Sequence, residues 1–397
     1  MRVLLHTRPD WRELPGGDLV QLQRWATWLG ELGVQVHISD AAEPDLAGID
    51  LLHLTNLGRA FALWPTLVHC RRQGVPVAFT PLYWPIDEYE RRGRPGALGR
   101  AFGLLPAGIR QRLKAAARWS RQPQQRRGLW REIRWGSSVL NRRFLAACDA
   151  IIPTSAAEAV ALRELLPSPP PLHLVRIGVD AVYWSDDRRL WALENRPLRP
   201  GGAAERPDDG AALTPADCRH QERNGILCVG RFDPQKSQHR LIAALRDLDV
   251  PLTFAGPDNP NYPGYRELCR RLAPASAVFL PRQSAAGLKQ LYRACRVHAL
   301  VSWYETTGLT GLEAGCQGAK VVVTSRGGTA DYYGDRAWYA DPADAAAMRR
   351  AVEAALAAPK VPDLATHVRR HFTWEQSARR LRQVFETVLA NPIRRAA

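Results

Sequence analysis

Two glutamates, Glu305 and Glu313, stand eight residues apart in the run Ser302-Trp303-Tyr304-Glu305-Thr306-Thr307-Gly308-Leu309-Thr310-Gly311-Leu312-Glu313. Carboxylates suit a polyhydroxylated ligand: one on a helix can take two ribose hydroxyls, as acidic residues do in dinucleotide folds, and the other can contact a sugar. On one helix the two would point about 80° apart, since each residue turns about 100°. The spacing fits better with Glu305 on a strand-exit loop and Glu313 on a helix opened by Gly308. The backbone N–H groups of residues 307–310 at that helix start suit a phosphate. Two cations, Arg231 and Lys236, lie five apart in Val229-Gly230-Arg231-Phe232-Asp233-Pro234-Gln235-Lys236-Ser237. Arginine offers a planar fork and lysine a point charge, and together they match a diphosphate. Lys236 is one of only five lysines in the chain. Two glycine pairs, Gly16-Gly17 and Gly327-Gly328, let backbone come close to a ligand. Each of these loops also has a plain use, as a turn or a solvated connection.

The elements that must position these residues follow from the apolar pattern. Short apolar runs at 2–5, 34–38, 49–54, 75–80 and 150–155 alternate with stretches of helical period, and the same alternation restarts at 225–230, 252–256, 277–280, 297–301 and 320–324. Such alternation predicts two parallel α/β sheets, whose ligands gather at the carboxyl ends of the strands. Residues 196–224 are rich in Pro, Gly, Ala, Asp and Arg without period, which predicts a surface insertion or linker.

Composition narrows the classes. The chain has 397 residues, 46% hydrophobic and 24% charged, which fits a globular protein of two or three domains and excludes collagen-like or disordered chains. No apolar run reaches the length of a membrane span, and the first residues lack a signal-peptide layout. The seven cysteines are scattered, with no C-x-x-C pair, which predicts free thiols in a reducing compartment, the cytoplasm. The net charge is +16, and residues 91–143 hold fifteen basic residues against the single acid Glu132, or +14 of it. That segment interleaves tryptophans and aliphatics with its arginines. Three arrangements fit: a helix lying on an anionic membrane, a helical hairpin packed on its own domain, and a groove for a polyanion such as nucleic acid. The first is preferred and nucleic acid is the weakest, so Arg118, Trp119, Arg126, Arg127, Trp130 and Trp135 are the membrane-facing candidates.

Taken in order, these motifs resemble glycosyltransferase family 4, the retaining nucleotide-sugar enzymes of GT-B fold. The E-x7-E signature stands as Glu305 to Glu313, the Gly-Arg-x-x-x-x-Lys element as Gly230-Arg231 to Lys236, and Gly-Gly-Thr-Ala-Asp at 327–331 is similar to the family's Gly-Gly-x-x-Glu. Phe372-Thr373-Trp374-Glu375 resembles the start of the family's C-terminal helix. The resemblance covers 225–390 best, 1–60 and 150–180 less well, and 91–143 and 196–224 not at all. It implies two Rossmann-like domains facing a central cleft, with the C-terminal helix crossing back to the N-domain: 1–180, acceptor side, carrying the insertion 91–143; 181–375, nucleotide-sugar side, carrying 196–224; and 376–397, crossover helix and tail.

By the same resemblance Arg231 and Lys236 hold the donor diphosphate, Glu313 the ribose, and Glu305 with the backbone of Thr307, Gly308 and Leu309 the sugar and phosphate. Gly17 closes on the diphosphate, and Arg282, after the third strand of the second domain, reads the base. The implied reaction is retaining transfer from a UDP- or GDP-sugar, with no required metal or cofactor. The preferred acceptor is a lipid-linked glycan or surface polysaccharide at the inner face of a bacterial membrane. A soluble small-molecule acceptor and a non-catalytic polyanion- or partner-binding role are the alternatives. Two departures stand out: Thr306-Thr307 replaces the usual Gly-Phe after the first glutamate, and Leu82 stands where a family histidine follows the strand. His53 is therefore the substitute catalytic histidine, with Asn56, Tyr83 and Asp87 as acceptor-side candidates.

Overall fold

The computed structural model describes residues 1–6, 17–121, 125–185, 187–194 and 223–391, without the side chains of Asp18, Arg121, Arg127 and Arg188. Gly16 and residues 196–222 of the low-complexity stretch lie outside the described residues. The chain forms two units. Unit 1 takes Met1–Asp87, Ala101–Gly178 and Trp374–Ala397; unit 2 takes Glu88–Arg100 and Val179–Thr373.

In unit 1, strands β1 (Arg2–His6), β2 (Gln35–Ser39), β3 (Leu51–Thr55), β4 (Val77–Thr80) and β5 (Ala150–Ile151) pair in parallel in the order β2-β1-β3-β4-β5. β3 and β4 are buried along their whole length, as expected of parallel strands covered on both faces. The strand expected over 150–155 is only two residues long. Pro153 has no N–H to donate, and Ser155 caps the next helix by accepting from the Glu158 N–H at 3.0 Å. The helix Trp374–Ala390 belongs to this unit. There Ser377 Oγ accepts from Trp25 Nε1 at 2.8 Å and donates to the Arg176 carbonyl at 2.6 Å.

The basic insertion folds as the helices Gly96–Leu104, Ala107–Arg121 and Arg126–Trp135, followed by Ser137–Ala147. Packing corrects the membrane-facing assignment for three residues. Leu129 is fully buried, and Gly128 approaches so closely that a Cβ there would lie 1.9 Å from the Phe61 carbonyl oxygen. Trp135 packs edge-on against Trp64 at 5.7 Å, and Trp119 lies against the core. Arg118 bonds Glu132 at 2.9 Å with its guanidinium 4.6 Å from the Phe61 ring. Arg118, Trp119 and Trp135 thus face the protein, because apolar rings and a paired charge are better satisfied inside. Arg126 and Trp130 are exposed; the Arg127 side chain lies outside the described residues.

In unit 2, β6 (Asn224–Val229), β7 (Leu252–Ala255), β8 (Val278–Leu280), β9 (Cys295–Leu300), β10 (Lys320–Thr324) and β11 (Trp338–Ala340) pair in parallel as β11-β10-β9-β6-β7-β8. Side chains alternate between two cores: Ile226 and Cys228 of β6 enter one, Leu227 and Val229 the other. The edge strand β11 is three residues long and is not among the runs expected from the sequence. Residues 88–100, which the sequence assigns to the first domain, belong to unit 2. Tyr89 packs on Trp303 at 6.3 Å, and the Arg94 guanidinium sits 5.9 Å from the Tyr262 ring.

Candidate functional site

The sheet of unit 2 starts at β6, winds outward through β7 and β8, then returns to pair β9 against the other side of β6. The exit loops of β6 and β9 therefore diverge at a topological switch point, where open α/β sheets bind ligands. The two candidate loops are these two exits.

After β6, Asp233 caps the short turn Pro234–Lys236 by accepting from the Gln235 N–H at 2.9 Å. Arg231 is 42% exposed, with Nη2 3.6 Å from Asp233 Oδ2. Lys236 Nζ donates to Glu305 Oε1 at 2.6 Å, and Ser302 Oγ donates to the same oxygen at 2.6 Å. Glu305 is thus fixed from both exits. Its backbone is fixed as well: its N–H donates to the Arg326 carbonyl at 3.2 Å and its carbonyl accepts from the Gly328 N–H at 2.8 Å. Gly327, at φ +99°, bridges to it in parallel, and a Cβ there would lie 1.9 Å from the Glu305 oxygen. The second glycine pair is therefore the clamp that seats Glu305.

After β9, Gly308 adopts φ +78° and precedes the helix Leu309–Cys316. Thr307 is buried, and its Oγ1, like that of Thr310, has no hydrogen-bond partner among the described residues. Unsatisfied buried hydroxyls beside a helix N-terminus leave donors for an anion. Glu313 lies on that helix, and its Oε2 accepts from Tyr292 Oη at 2.8 Å. Burial pushes the Glu313 carboxyl up to about 8, although the Tyr292 bond works the other way. The folded chain therefore holds a proton there that the unfolded chain releases, and stability falls as pH rises from about 4.5 to 8. Glu313→Gln removes this slope. Ligand-free thermal melts should coincide with wild type at the acid end of that window and place the variant higher at the alkaline end, by about 2–4 °C per kcal/mol. A constant offset at all pH values would contradict the assignment.

The other candidates are carried by other elements. Arg282 is exposed after β8, on the edge strand two positions from β6. Gly17 is exposed at the first turn of the helix Gly17–Glu31 of unit 1. His53 is corrected: it is 1% exposed and bonded to Thr80 Oγ1 at 2.9 Å. Its ring lies 5.3 Å from that of Trp25 and 5.4 Å from that of Phe385. Burial pulls its pKa down to about 3. It is a neutral core residue, because β3 sits inside the sheet rather than at a rim. Asp87 is nearly half exposed, and its carboxylate is bound by the buried Arg110. Asn56 takes φ +79° at the β3 exit, and the Tyr83 N–H donates to Glu158 Oε1 at 2.7 Å. Sequence reasoning missed Ser302 and Tyr292. The first is three residues before Glu305 and was within reach; the second is twenty-one residues before Glu313, on another helix, with no local signal.

Residues 217–370, which contain Arg231, Lys236, Glu305 and Glu313, match the family described as glycosyl transferases group 1. A D-inositol 3-phosphate glycosyltransferase of Rhodococcus erythropolis is 25% identical over 269 residues, 63% of this chain and 56% of that protein. The chain spans about half the length of the relatives it matches. Sucrose-phosphate synthase of Thermosynechococcus elongatus superposes with a TM-score of 0.68 at 17% identity, covering 98% of this chain and 99% of that one. Anabaena HepE in complex with UDP-glucose does so with a TM-score of 0.61 at 16% identity, covering 98% and 100%. These likenesses give the fold class: two parallel-sheet α/β domains of GT-B type.

Proposed function

We propose that this chain is a retaining glycosyltransferase that moves a sugar from a UDP- or GDP-sugar onto a hydroxyl of a lipid-linked glycan or surface polysaccharide, with no required metal. The Lys236–Glu305 contact at the β6/β9 switch supports it most, since it sets a phosphate-binding cation beside a sugar-binding carboxylate. An ammonium has three N–H donors. One is taken by Glu305, and two remain for phosphate oxygens. As the bond from the anomeric carbon to the phosphate breaks, charge grows on the departing diphosphate. Lys236, Arg231 and the N–H groups that open the helix Leu309–Cys316 stabilise that charge. Glu305 orients the donor sugar and Glu313 holds the ribose. The acceptor oxygen attacks from the face the phosphate leaves, and its proton passes to a phosphate oxygen, so configuration is retained.

The Rhodococcus relative and sucrose-phosphate synthase are both named for small phosphorylated molecules, which favours a soluble small acceptor as the second reading. A non-catalytic binding role would leave donor turnover absent. The first test is thermal stabilisation by UDP, GDP, ADP and CMP, with Lys236→Ala alongside. At 100 times its Kd a ligand adds about 2.7 kcal/mol. One diphosphate is expected to stabilise wild type and not the variant; stabilisation by none would remove the transferase proposal.

A further inference from the structure

We infer that unit 1 docks on an anionic lipid surface through the outward face of the helix Ala107–Arg121. This helix is turned against its own polarity. At about 100° per residue, Arg110, Lys114 and Arg118 share one side, and Ile109, Leu113, Ala116 and Ser120 the other. The cationic side faces the protein. Arg110 is 2% exposed, donates to the Gly103 carbonyl at 2.9 Å and binds the Asp87 carboxylate, while Arg118 bonds Glu132. The apolar side faces outward, with Ile109 47% and Leu113 48% exposed. Leu104, which ends the preceding helix, is 88% exposed. An apolar stripe left in water while Arg110 is buried and Arg118 half-buried is the kind of exposed stripe that marks an interaction surface.

Charge selects the occupant. Residues 101–143, the part of the basic segment that lies in unit 1, hold eleven basic residues against one acid, a net +10, and that acid, Glu132, is consumed inside by Arg118. Pairing two copies of this face would bring like charges together. An anionic bilayer answers both features: apolar side chains enter the headgroup boundary, and nearby cations are drawn to the anionic headgroups. Arg112 is exposed at the rim of the stripe, and Trp130, 55% exposed on the neighbouring helix, is of the type that anchors at such boundaries. The inference goes beyond the transfer chemistry and does not rest on it.

The test is co-flotation with vesicles of phosphatidylcholine alone and of phosphatidylcholine with about 30% phosphatidylglycerol. Wild type is expected to float with the anionic vesicles at least about tenfold more than with the neutral ones, and to release in about 1 M salt. Ile109→Asp combined with Leu113→Asp should lose this binding while keeping its melting temperature. Leu104→Ser, at a side chain too exposed to affect folding, should weaken it separately. Wild type that stays in solution with both vesicles overturns the inference. So does a folded double variant that floats like wild type, or a wild-type dimer in solution that the double variant dissociates.

Discussion

Glu305→Gln should lower nucleotide-sugar turnover by about 10²–10³, the range for losing one preorganised electrostatic contact at a reacting centre. The readout is release of nucleoside diphosphate from UDP-glucose or GDP-mannose. Glutamine keeps the length of the side chain and one acceptor for Lys236 Nζ and Ser302 Oγ, which sit at 2.6 Å each, so the loop should hold its shape. It removes the charge that competes with phosphate for Lys236. Nucleoside diphosphate should therefore bind the variant at least as well as wild type, whereas Lys236→Ala should weaken binding and turnover together. The two substitutions break the same ion pair, yet their effects on binding have opposite signs, which a purely structural role would not produce. Wild-type turnover by Glu305→Gln would end its assignment to the sugar.

The second large effect lies in the clamp rather than in the carboxylate. Gly327→Ala forces a methyl to within 1.9 Å of the Glu305 carbonyl oxygen at a φ of +99°. Left-handed strain and overpacking together should cost about 2–5 kcal/mol, which in a unit of this size lowers Tm by about 4–20 °C. Relief requires the 302–308 loop to move, so turnover per folded molecule should also drop. Gly108→Ala is the control: its Cβ meets nothing within 4 Å on a helix, and the substitution should be neutral or slightly stabilising. If Gly327→Ala melts like Gly108→Ala, the clamp is not rigid and the seat of Glu305 is set elsewhere.

The parts of this arrangement visible in sequence are those whose signals are local. Arg231, Lys236 and Glu305 sit on two exit loops and Glu313 on the helix that follows the second, and each stretch is a continuous run of residues. The strands show because parallel sheets need unbroken apolar runs; β11, in the short run Ala337-Trp338-Tyr339-Ala340, is the one strand of this sheet not among those expected. Non-local facts were beyond reach. That Tyr292 bonds Glu313 depends on how two helices pack, and that His53 is enclosed depends on β3 lying between β1 and β4. The basic insertion is the instructive failure. Its net charge was plain, but charge says nothing about which face of a helix turns inward. A buried Arg110 and a half-buried Arg118 that each find a carboxylate, with isoleucine and leucine left outside, reverse the usual pattern.

The return of the helix Trp374–Ala390 to unit 1 sets an order of events during synthesis. The five strands of unit 1 leave the ribosome within the first part of the chain, yet Trp25 waits for Ser377, and the Leu32 carbonyl for Arg382, which donates to it at 2.7 Å. All of unit 2 is translated in between. The unit begun first is therefore finished last, and until its closing helix arrives Trp25 lacks its Ser377 partner and stands open to whatever else is folding nearby. Nascent chains stalled before residue 374 should lean most heavily on chaperones, though the residues of the proposed nucleotide site are already made.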